Sequence, residues 1–467
     1  MLSSIIGVIV LLFHLAGLIA AVNAVMNTRT AQGAFAWALG LIFLPYITLI
    51  PYLYLGRSKF HGYISRHRAS RLQLREATGA AVHQDTRAEP ETQRYEAIAR
   101  MLGTRFLPGQ RLRLLIDGKA TFDAIFEAID SARHYVLVQF FIFHDDQLGR
   151  RMQALLLSKA AQGVKVHVLF DGIGSHALPG RYIDALRDGG VAIHAFATRR
   201  KSNRFQLNFR NHRKIVVVDG RIGFTGGLNV GDEYMGLEPP LAPWRDTHLQ
   251  IEGTAVTELQ RSFAEDWYWV TGELPPMAAP VATDGPAMTL IAATGPADAQ
   301  ESCSLYFVSA IHAAQQRVWL TTPYFVPDQA VMAALRLAVF RGVDVRILIP
   351  SVADHYAVFQ ASGLYAHDAV RAGVRVFRHA PGFVHQKVIL IDDDTVSVGS
   401  MNLDNRSFRL NFEIGALNID RAFAHEVQTM LEHDFAQARE VVPEDYYRAP
   451  YLRRLVMHVA RLFDPVL

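Results

Sequence analysis

The chain is nearly devoid of cysteine. Cys303 stands alone, so the sequence forms no internal disulfide and offers no cysteine-based zinc site. That scarcity suits a reducing compartment. Net charge is almost absent as well: a balance of +3 over 467 residues gives no reason to expect a nucleic-acid partner. Two long stretches, Leu2–Met26 and Ala31–Leu55, carry no charged side chain at all. Each exceeds the roughly 20 residues that cross a bilayer as a helix. Only Asn27-Thr28-Arg29-Thr30 separates them, so they read as a hairpin of two membrane helices. A cleaved signal peptide is the rival reading of the first stretch, but the basic n-region is missing and a second apolar stretch comes at once. Pro45 and Pro51 are expected to kink the second helix near its end, which membrane helices tolerate. His14 is expected to be packed or hydrogen-bonded within the hairpin.

The segment after the hairpin is basic. Arg57, Lys59, Arg66, Arg68, Arg71 and Arg75 are opposed only by Glu76, against the lone Arg29 in the hairpin turn. This asymmetry predicts a cytoplasmic location for everything after Leu55. It also predicts attraction to anionic lipid headgroups, at about 1 kcal/mol per basic residue near the surface. An ordinary solvated linker is compatible with the same residues.

The centre of the sequence is a pattern that occurs twice. The first copy runs His212-Arg213-Lys214-Ile215-Val216-Val217-Val218-Asp219, then Gly226-Gly227-Leu228-Asn229. The second runs His385-Gln386-Lys387-Val388-Ile389-Leu390-Ile391-Asp392, then Gly399-Ser400-Met401-Asn402. His, Lys, Asp, Gly and Asn keep the same offsets in both. Each His-x-Lys leads into a β-branched apolar run that reads as a buried strand. Alternation along a strand places His212 with Lys214, and His385 with Lys387, on one face. An imidazole, an ammonium and an amide on one surface suit a phosphate: the imidazole attacks or protonates, while cation and amide hold charge on oxygen. Asp219 and Asp392 lie at odd offsets from their histidines, so a structural role at the strand end competes with direct chemistry. Glu413, in Asn411-Phe412-Glu413-Ile414, and Asp246, in Trp244-Arg245-Asp246-Thr247, are better candidates to orient the imidazoles. Each opens an apolar stretch expected to lie beside its own motif strand.

Around the motifs the soluble part reads as two related α/β units. Tyr135–Phe143 is expected as a strand, Leu148–Gln162 as a helix and Val164–Phe170 as a strand. In the second unit, Val318–Thr322, Gln329–Arg341 and Val343–Ile349 repeat that order. The parallel between Gly163–Leu169 (GVKVHVL) and Gly342–Leu348 (GVDVRIL) shows the duplication away from the motifs. Alternating strands and helices predict a mainly parallel sheet covered by helices. Pro275, Pro276, Pro280 and Pro286 mark a linker between the units.

Two further stretches bear on a substrate. Arg199, Arg200, Lys201, Arg204, Arg210 and Arg213, with Phe205 and Phe209, crowd the approach to the first motif. Beside membrane helices they favour a phospholipid surface over a polynucleotide. From Tyr451 to Leu467, Leu452, Leu455, Val456, Val459, Leu462 and Phe463 share one helical face. That suits an interfacial helix on the membrane or a helix packed on the domain.

The two motif copies resemble the paired HxK(x)4D(x)6GSxN signatures of the phospholipase D superfamily. Only Gly227, where serine is usual, departs from them. Asn229–Tyr234, Trp244-Arg245-Asp246, Thr322–Phe325 and Asn402–Ser407 resemble the bacterial cardiolipin synthases in particular, and the likeness covers nearly the whole chain. It implies two phospholipase D-like α/β sandwich domains in a pseudo-twofold arrangement behind the transmembrane hairpin. The expected boundaries are 1–56 for the hairpin, 57–105 for the basic segment and linker, 106–273 for the first domain, 274–288 for a linker, 289–445 for the second domain and 446–467 for the C-terminal helix. The resemblance implies a multi-pass protein of the bacterial inner membrane that joins two phosphatidylglycerols into cardiolipin and glycerol through a phosphatidyl-histidine. His212, Lys214, Asp219, His385, Lys387 and Asp392 would be catalytic, and Asn229, Asn402, Asp246 and Glu413 would bind or orient. Phosphatidylglycerol and the anionic membrane are the expected partners, with no cofactor, no metal and no nucleic acid. A phospholipase D making phosphatidic acid, a transferase using phosphatidylethanolamine and a membrane-tethered nuclease remain open beside it.

Overall fold

A computed structural model describes residues 2–28, 31–56, 90–196 and 208–464. The basic residues Arg57 to Arg75, and Arg199, Arg200, Lys201, Arg204 and Phe205, lie outside the described residues.

The first apolar stretch is one helix, Leu2–Asn27, of which Ile5–Asn27 is long and apolar enough to cross a membrane. The second is not the single helix expected. It breaks at Leu44 into Ala31–Phe43 and Pro45–Leu55, earlier than a kink near its end. The cause is local: a residue before proline is forced out of the helical region, and Pro45 then starts the next helix where its missing N–H costs nothing. Ala21, Ala24, Leu41 and Tyr52 bury one another where the helices meet. Gly17 permits the approach, since a Cβ there would lie 2.3 Å from the Leu41 carbonyl oxygen. His14 is hydrogen-bonded as expected, with Nδ1 3.0 Å from the Tyr46 hydroxyl.

The remaining chain is built on a sheet whose strand order is nearly the same read from either end. From one edge it runs Ala192–Phe196, Lys165–Asp171, Tyr135–Phe140, Ile215–Val218, Ile222–Gly226, Thr247–Glu252 and Leu107–Ile116. It continues with Ala287–Thr294, Asn411–Ile419, Thr395–Gly399, Val388–Ile391, Arg317–Thr321, Asp344–Pro350 and Arg375–His379, and Ala438–Glu440 closes the far edge. The halves meet where Leu107 pairs with Thr289 and Gln110 with Ala287, across a register shift. The second half's first strand therefore starts at Ala287, inside the segment expected as a linker. In each half three strands are parallel, but the motif strand and those beyond it run antiparallel. The sheet is thus mixed rather than mainly parallel.

Strand alternation sorts the apolar side chains into three cores. Val136, Val138, Val216 and Val218 face outward onto the helices Asp117–Asp130 and Gln147–Ala161. Ile389, Ile391, Val345 and Ile347 do the same in the second half, against Ser302–Ala313 and Gln329–Phe340. Leu137, Ile215 and Val217 face inward and share a central core with Val388, Leu390 and Ile414 from the other half. The helices Val256–Thr271 and Arg421–Ala436 fill that middle layer through Phe263, Trp267, Val427 and Leu431. The layers therefore run helix, sheet, helix, sheet, helix, and burying both inner faces forces the halves together.

Asp219 and Asp392 end the motif strands, both at a left-handed φ of 51°. Asp219 accepts hydrogen bonds from the N–H groups of Arg133, His134 and Tyr135, each at 2.8 Å. Asp392 accepts from Gln315, Gln316 and Arg317 at 3.0, 2.8 and 3.2 Å, and from Arg94 at 3.2 Å. Each carboxylate ties its strand end to the turn entering the neighbouring strand. They stand at the opposite end of the strand from the histidines, a placement that favours the structural role at the strand end over direct chemistry. Asp392→Ala would leave these N–H groups unpaired and is predicted to cost about 3 kcal/mol of stability. Thermal melting should drop by several degrees while turnover per folded molecule stays near the parent's. Lost turnover with unchanged melting would contradict this placement.

Candidate active site

The histidines are delivered by short strands that cross between the halves. Arg210–Asn211 pairs in parallel with the start of Asn411–Ile419, and His212 N–H donates to the Phe412 carbonyl at 2.9 Å. Phe383–Val384 pairs in parallel with Trp244–Arg245, and His385 N–H donates to the Arg245 carbonyl at 2.8 Å. Each histidine is thereby set beside the other half's carboxylate. His212 Nδ1 lies 2.9 Å from Glu413 Oε2, and His385 Nδ1 lies 2.7 Å from Asp246 Oδ2. The strand that each acid opens does flank its own motif hairpin, Thr247–Glu252 beside Ile222–Gly226 and Asn411–Ile419 beside Thr395–Gly399. Yet the imidazole each acid holds belongs to the other half. The pairing is crosswise because the crossing strands, and not the hairpins, set the register.

The two pairs differ in their surroundings. Glu413 also accepts from Ser400 Oγ at 2.5 Å, Ser407 Oγ at 2.9 Å and Asn411 Nδ2 at 3.0 Å. Asp246 accepts from the Thr247 N–H at 2.8 Å and lies 3.4 Å from Trp244 Nε1. Gly227 occupies the place that Ser400 holds in the second copy. A Cβ at Gly227 would sit 2.0 Å from Asp246 Oδ1, so the shorter carboxylate fills the space a serine would need. That steric fact accounts for the glycine.

Both lysines come to the same site, each folding back on its own motif. Lys214 Nζ donates to the His212 carbonyl at 2.8 Å, and Lys387 Nζ donates to that of His385. Phe141 lies edge-on to His212 at 5.1 Å with Lys214 Nζ 5.6 Å from its ring centre, and Trp244 flanks His385 at 5.0 Å. The asparagines are not equivalent. Asn229 accepts from the Ile142 N–H at 3.3 Å and donates to the Tyr234 hydroxyl at 3.1 Å. Asn402 Oδ1 is buried with no hydrogen-bond partner among the described residues.

Electrostatics follow from burial. Desolvation pushes the His212 imidazole down to about 4, with Glu413 pulling upward and Lys214 adding to the fall. Burial and Lys387 push His385 down to about 3 against the pull of Asp246. Both rings are therefore neutral at pH 7, with Nδ1–H given to a carboxylate and Nε2 left as a base. Burial alone would raise the acids, but the histidine contacts and lysine charges outweigh it and hold Asp246 and Glu413 below the usual carboxylate range. Burial lowers both lysines, Lys387 to about 8. Both lysines feel Glu413 and Asp246, and Lys214 also feels Lys387, so the groups form one electrostatic unit.

A supporting layer is not visible in the sequence. Arg213, expected among the lipid-facing cations, is buried and donates to Asp266 at 3.0 Å, and Phe209 is buried too. Gln386, its counterpart, donates to Asp434 at 2.8 Å and accepts from Thr247. Arg245 grips the same Asp434 with two bonds of 2.9 Å. Alternation held the clue: the residue between His and Lys faces away from them, into the middle layer. Ser400, Ser407, Trp244 and Phe141 had no such clue.

The family described as "Cardiolipin synthase, PLD-like domain" matches residues 125–267 and 307–435. Cardiolipin synthase A of Pseudomonas putida (strain GB-1) is 57% identical over 470 residues, which cover 99% of this chain and 98% of that protein. The protein of the same name from Pseudomonas aeruginosa (strain UCBPP-PA14) is 56% identical over 473 residues, 99% of this chain and 96% of that one. The chain belongs to the cardiolipin synthase family. Among solved structures, the phosphatidylserine synthase of Haemophilus influenzae Rd KW20 shares the fold, with a TM-score of 0.61 at 15% identity over 80% of this chain and all of that one. Within this cardiolipin synthase family member the motif residues divide: His212, His385, Lys214, Lys387, Asp246 and Glu413 converge, whereas Asp219 and Asp392 do not.

Lys387 is charged below about pH 8 and loses its proton above it, so its hold on an anion exists below that value and fades as pH rises through it. Affinity for a non-cleavable phosphatidylglycerol analogue is predicted to break downward near pH 8, and Lys387→Met should weaken binding and remove the break. An unbroken profile, or a break that survives Lys387→Met, would contradict the assignment.

Proposed function

We propose that this family member joins two phosphatidylglycerol molecules into cardiolipin and glycerol. The observation that carries the reading is the crossed pair of imidazoles, each fixed through Nδ1 and left with a basic Nε2. His212 Nε2 attacks the donor phosphorus as the bond to glycerol breaks, giving a phosphatidyl-histidine. His385 donates a proton to the departing glycerol oxygen. It then takes the proton from a glycerol hydroxyl of the second lipid, whose oxygen attacks phosphorus and releases His212. Glu413 and Asp246 hold the rings in the required tautomer and stabilise the positive charge that develops on each.

Charge balance supports the division. Two ammonium groups face two carboxylates, so an arriving phosphodiester brings one uncompensated negative charge, which favours protonation of one imidazole. Lys214 and Lys387 neutralise the phosphate oxygens, and no step calls for a metal ion. Asn402, whose buried Oδ1 is unpartnered among the described residues, is suited to a glycerol hydroxyl; Asn229, held by Ile142 and Tyr234, keeps its loop in place.

The chain is read as multi-pass in the bacterial inner membrane with its catalytic part in the cytoplasm, on the six basic residues from Arg57 to Arg75 against Arg29. A reporter active only in the periplasm and fused after Leu467 is predicted to stay silent. A strong periplasmic signal would overturn this topology.

The histidine roles are tested with a donor lipid carrying p-nitrophenol. A weakly basic leaving group needs no general acid, whereas the nucleophile is always needed. His385→Ala should therefore still become labelled on histidine by the activated donor, and His212→Ala should not. With natural phosphatidylglycerol both variants should be inactive though folded. Label on His385 would reverse the roles, and natural activity in either variant would break the shared-site reading.

A further inference from the structure

A surface helix normally buries its apolar stripe and turns its polar face to water. The helix Tyr451–Arg461 does the reverse. Its buried contacts are few: Met457 and Ala460 pack on the helix Tyr356–Arg371, where Met457 Cε would lie 2.8 Å from a Cβ at Gly363. Two of its polar side chains, and an acid just beyond it, are tied to the protein. Arg461 donates to Asp368 at 3.1 Å, His458 Nε2 lies 2.9 Å from the Tyr446 hydroxyl, and Tyr365 donates to Asp464 just beyond the helix. The apolar residues Tyr451, Leu452, Leu455, Val459, Leu462 and Phe463 remain 45% to 77% exposed. At 3.6 residues per turn they fall within one arc of about 120°, on the side away from Met457 and Ala460. Arg448 and Arg453 are exposed close by, and Tyr447 adds an aromatic ring that is 57% exposed.

We propose that this face is seated in a bilayer, so that the helix lies between the second half and an anionic membrane surface. The occupant follows from what the face offers. A continuous apolar arc flanked by arginine and tyrosine matches the interfacial zone of a membrane, where acyl chains meet anionic and aromatic-compatible headgroups. The chain also carries a membrane-length helix at Ile5–Asn27, so a bilayer is already within its reach. Held at both places, the domain would have a fixed tilt over the lipid surface from which phosphate enters the site.

The test uses the full chain in vesicles of phosphatidylethanolamine and phosphatidylglycerol. Cys303 is buried, so single cysteines at Leu455, Val459 or Phe463 take an environment-sensitive fluorophore selectively, and the exposed Gln162 serves as the control site. Phospholipids brominated in the acyl chains should quench the first three labels and leave the control unquenched. Emission from positions 455 and 459 that is unquenched, whether the label is wet or shielded by a second copy of the chain, overturns the proposal. This readout does not depend on the reaction catalysed, so it stands or falls apart from the proposed function. As a second arm, Leu455→Asp with Val459→Asp should raise KM against vesicles by about tenfold, the scale of losing apolar burial at two side chains. Activity on dispersed short-chain phosphatidylglycerol should stay near the parent's, and an equal loss on both substrates overturns the proposal as well.

Discussion

Each motif imidazole is gripped by a carboxylate that belongs to the other half of the chain. His212 answers to Glu413 and His385 to Asp246, over separations of 201 and 139 residues. Much of the architecture serves this crossing. The crossing strands Arg210–Asn211 and Phe383–Val384 exist only as pairs with the opposite half, and they hold the histidine backbones to within hydrogen-bonding distance of it. The shared middle core keeps the two halves of the sheet at a fixed spacing, and without it neither crossing strand would have a partner.

The same arrangement makes buried charge tolerable. Taking an ammonium or carboxylate out of water costs several kcal/mol even after relaxation. Four such groups lie together here, two of each sign, and serine, backbone and indole donors satisfy much of what remains. Behind them, Asp266 and Asp434 receive Arg213, Gln386 and Arg245 from the site's rear. The supporting acids come from the two central helices, so the rigidity of the middle layer passes directly to the histidine loops.

The sequence made much of this legible, and what it hid has physical causes. The repeat of His, Lys, Asp, Gly and Asn singles out the candidate site, and Val216–Val218 and Ile389–Ile391 mark its strands. Glu413 and Asp246 stand out as orienting acids because each opens a strand-like run. Their exchange between halves is not readable, since a pattern of offsets carries no information about which copy packs against which. The roles of Asp219 and Asp392 turn on backbone N–H groups more than 70 residues away, beyond any local spacing rule. Arg213 looks like a lipid-facing cation because its partner Asp266 sits on a distant helix. The break before Pro45 departs from the expected single kinked helix because two prolines are present and the first ends one helix and starts the next.

The contrast between Gly227 beside Asp246 and Ser400 beside Glu413 has a consequence for how such a chain can change. The fitness of each half is written partly in the other, so substitutions should travel in crossed groups: 227 with 246 and 385, 400 with 413 and 212. A chimera that takes its first half from one relative and its second from another would separate histidines from the acids they are fitted to, although each half remained intact. The glycine–aspartate and serine–glutamate fits each stay within one half, and it is the grip of each acid on the opposite histidine that binds the halves to one another.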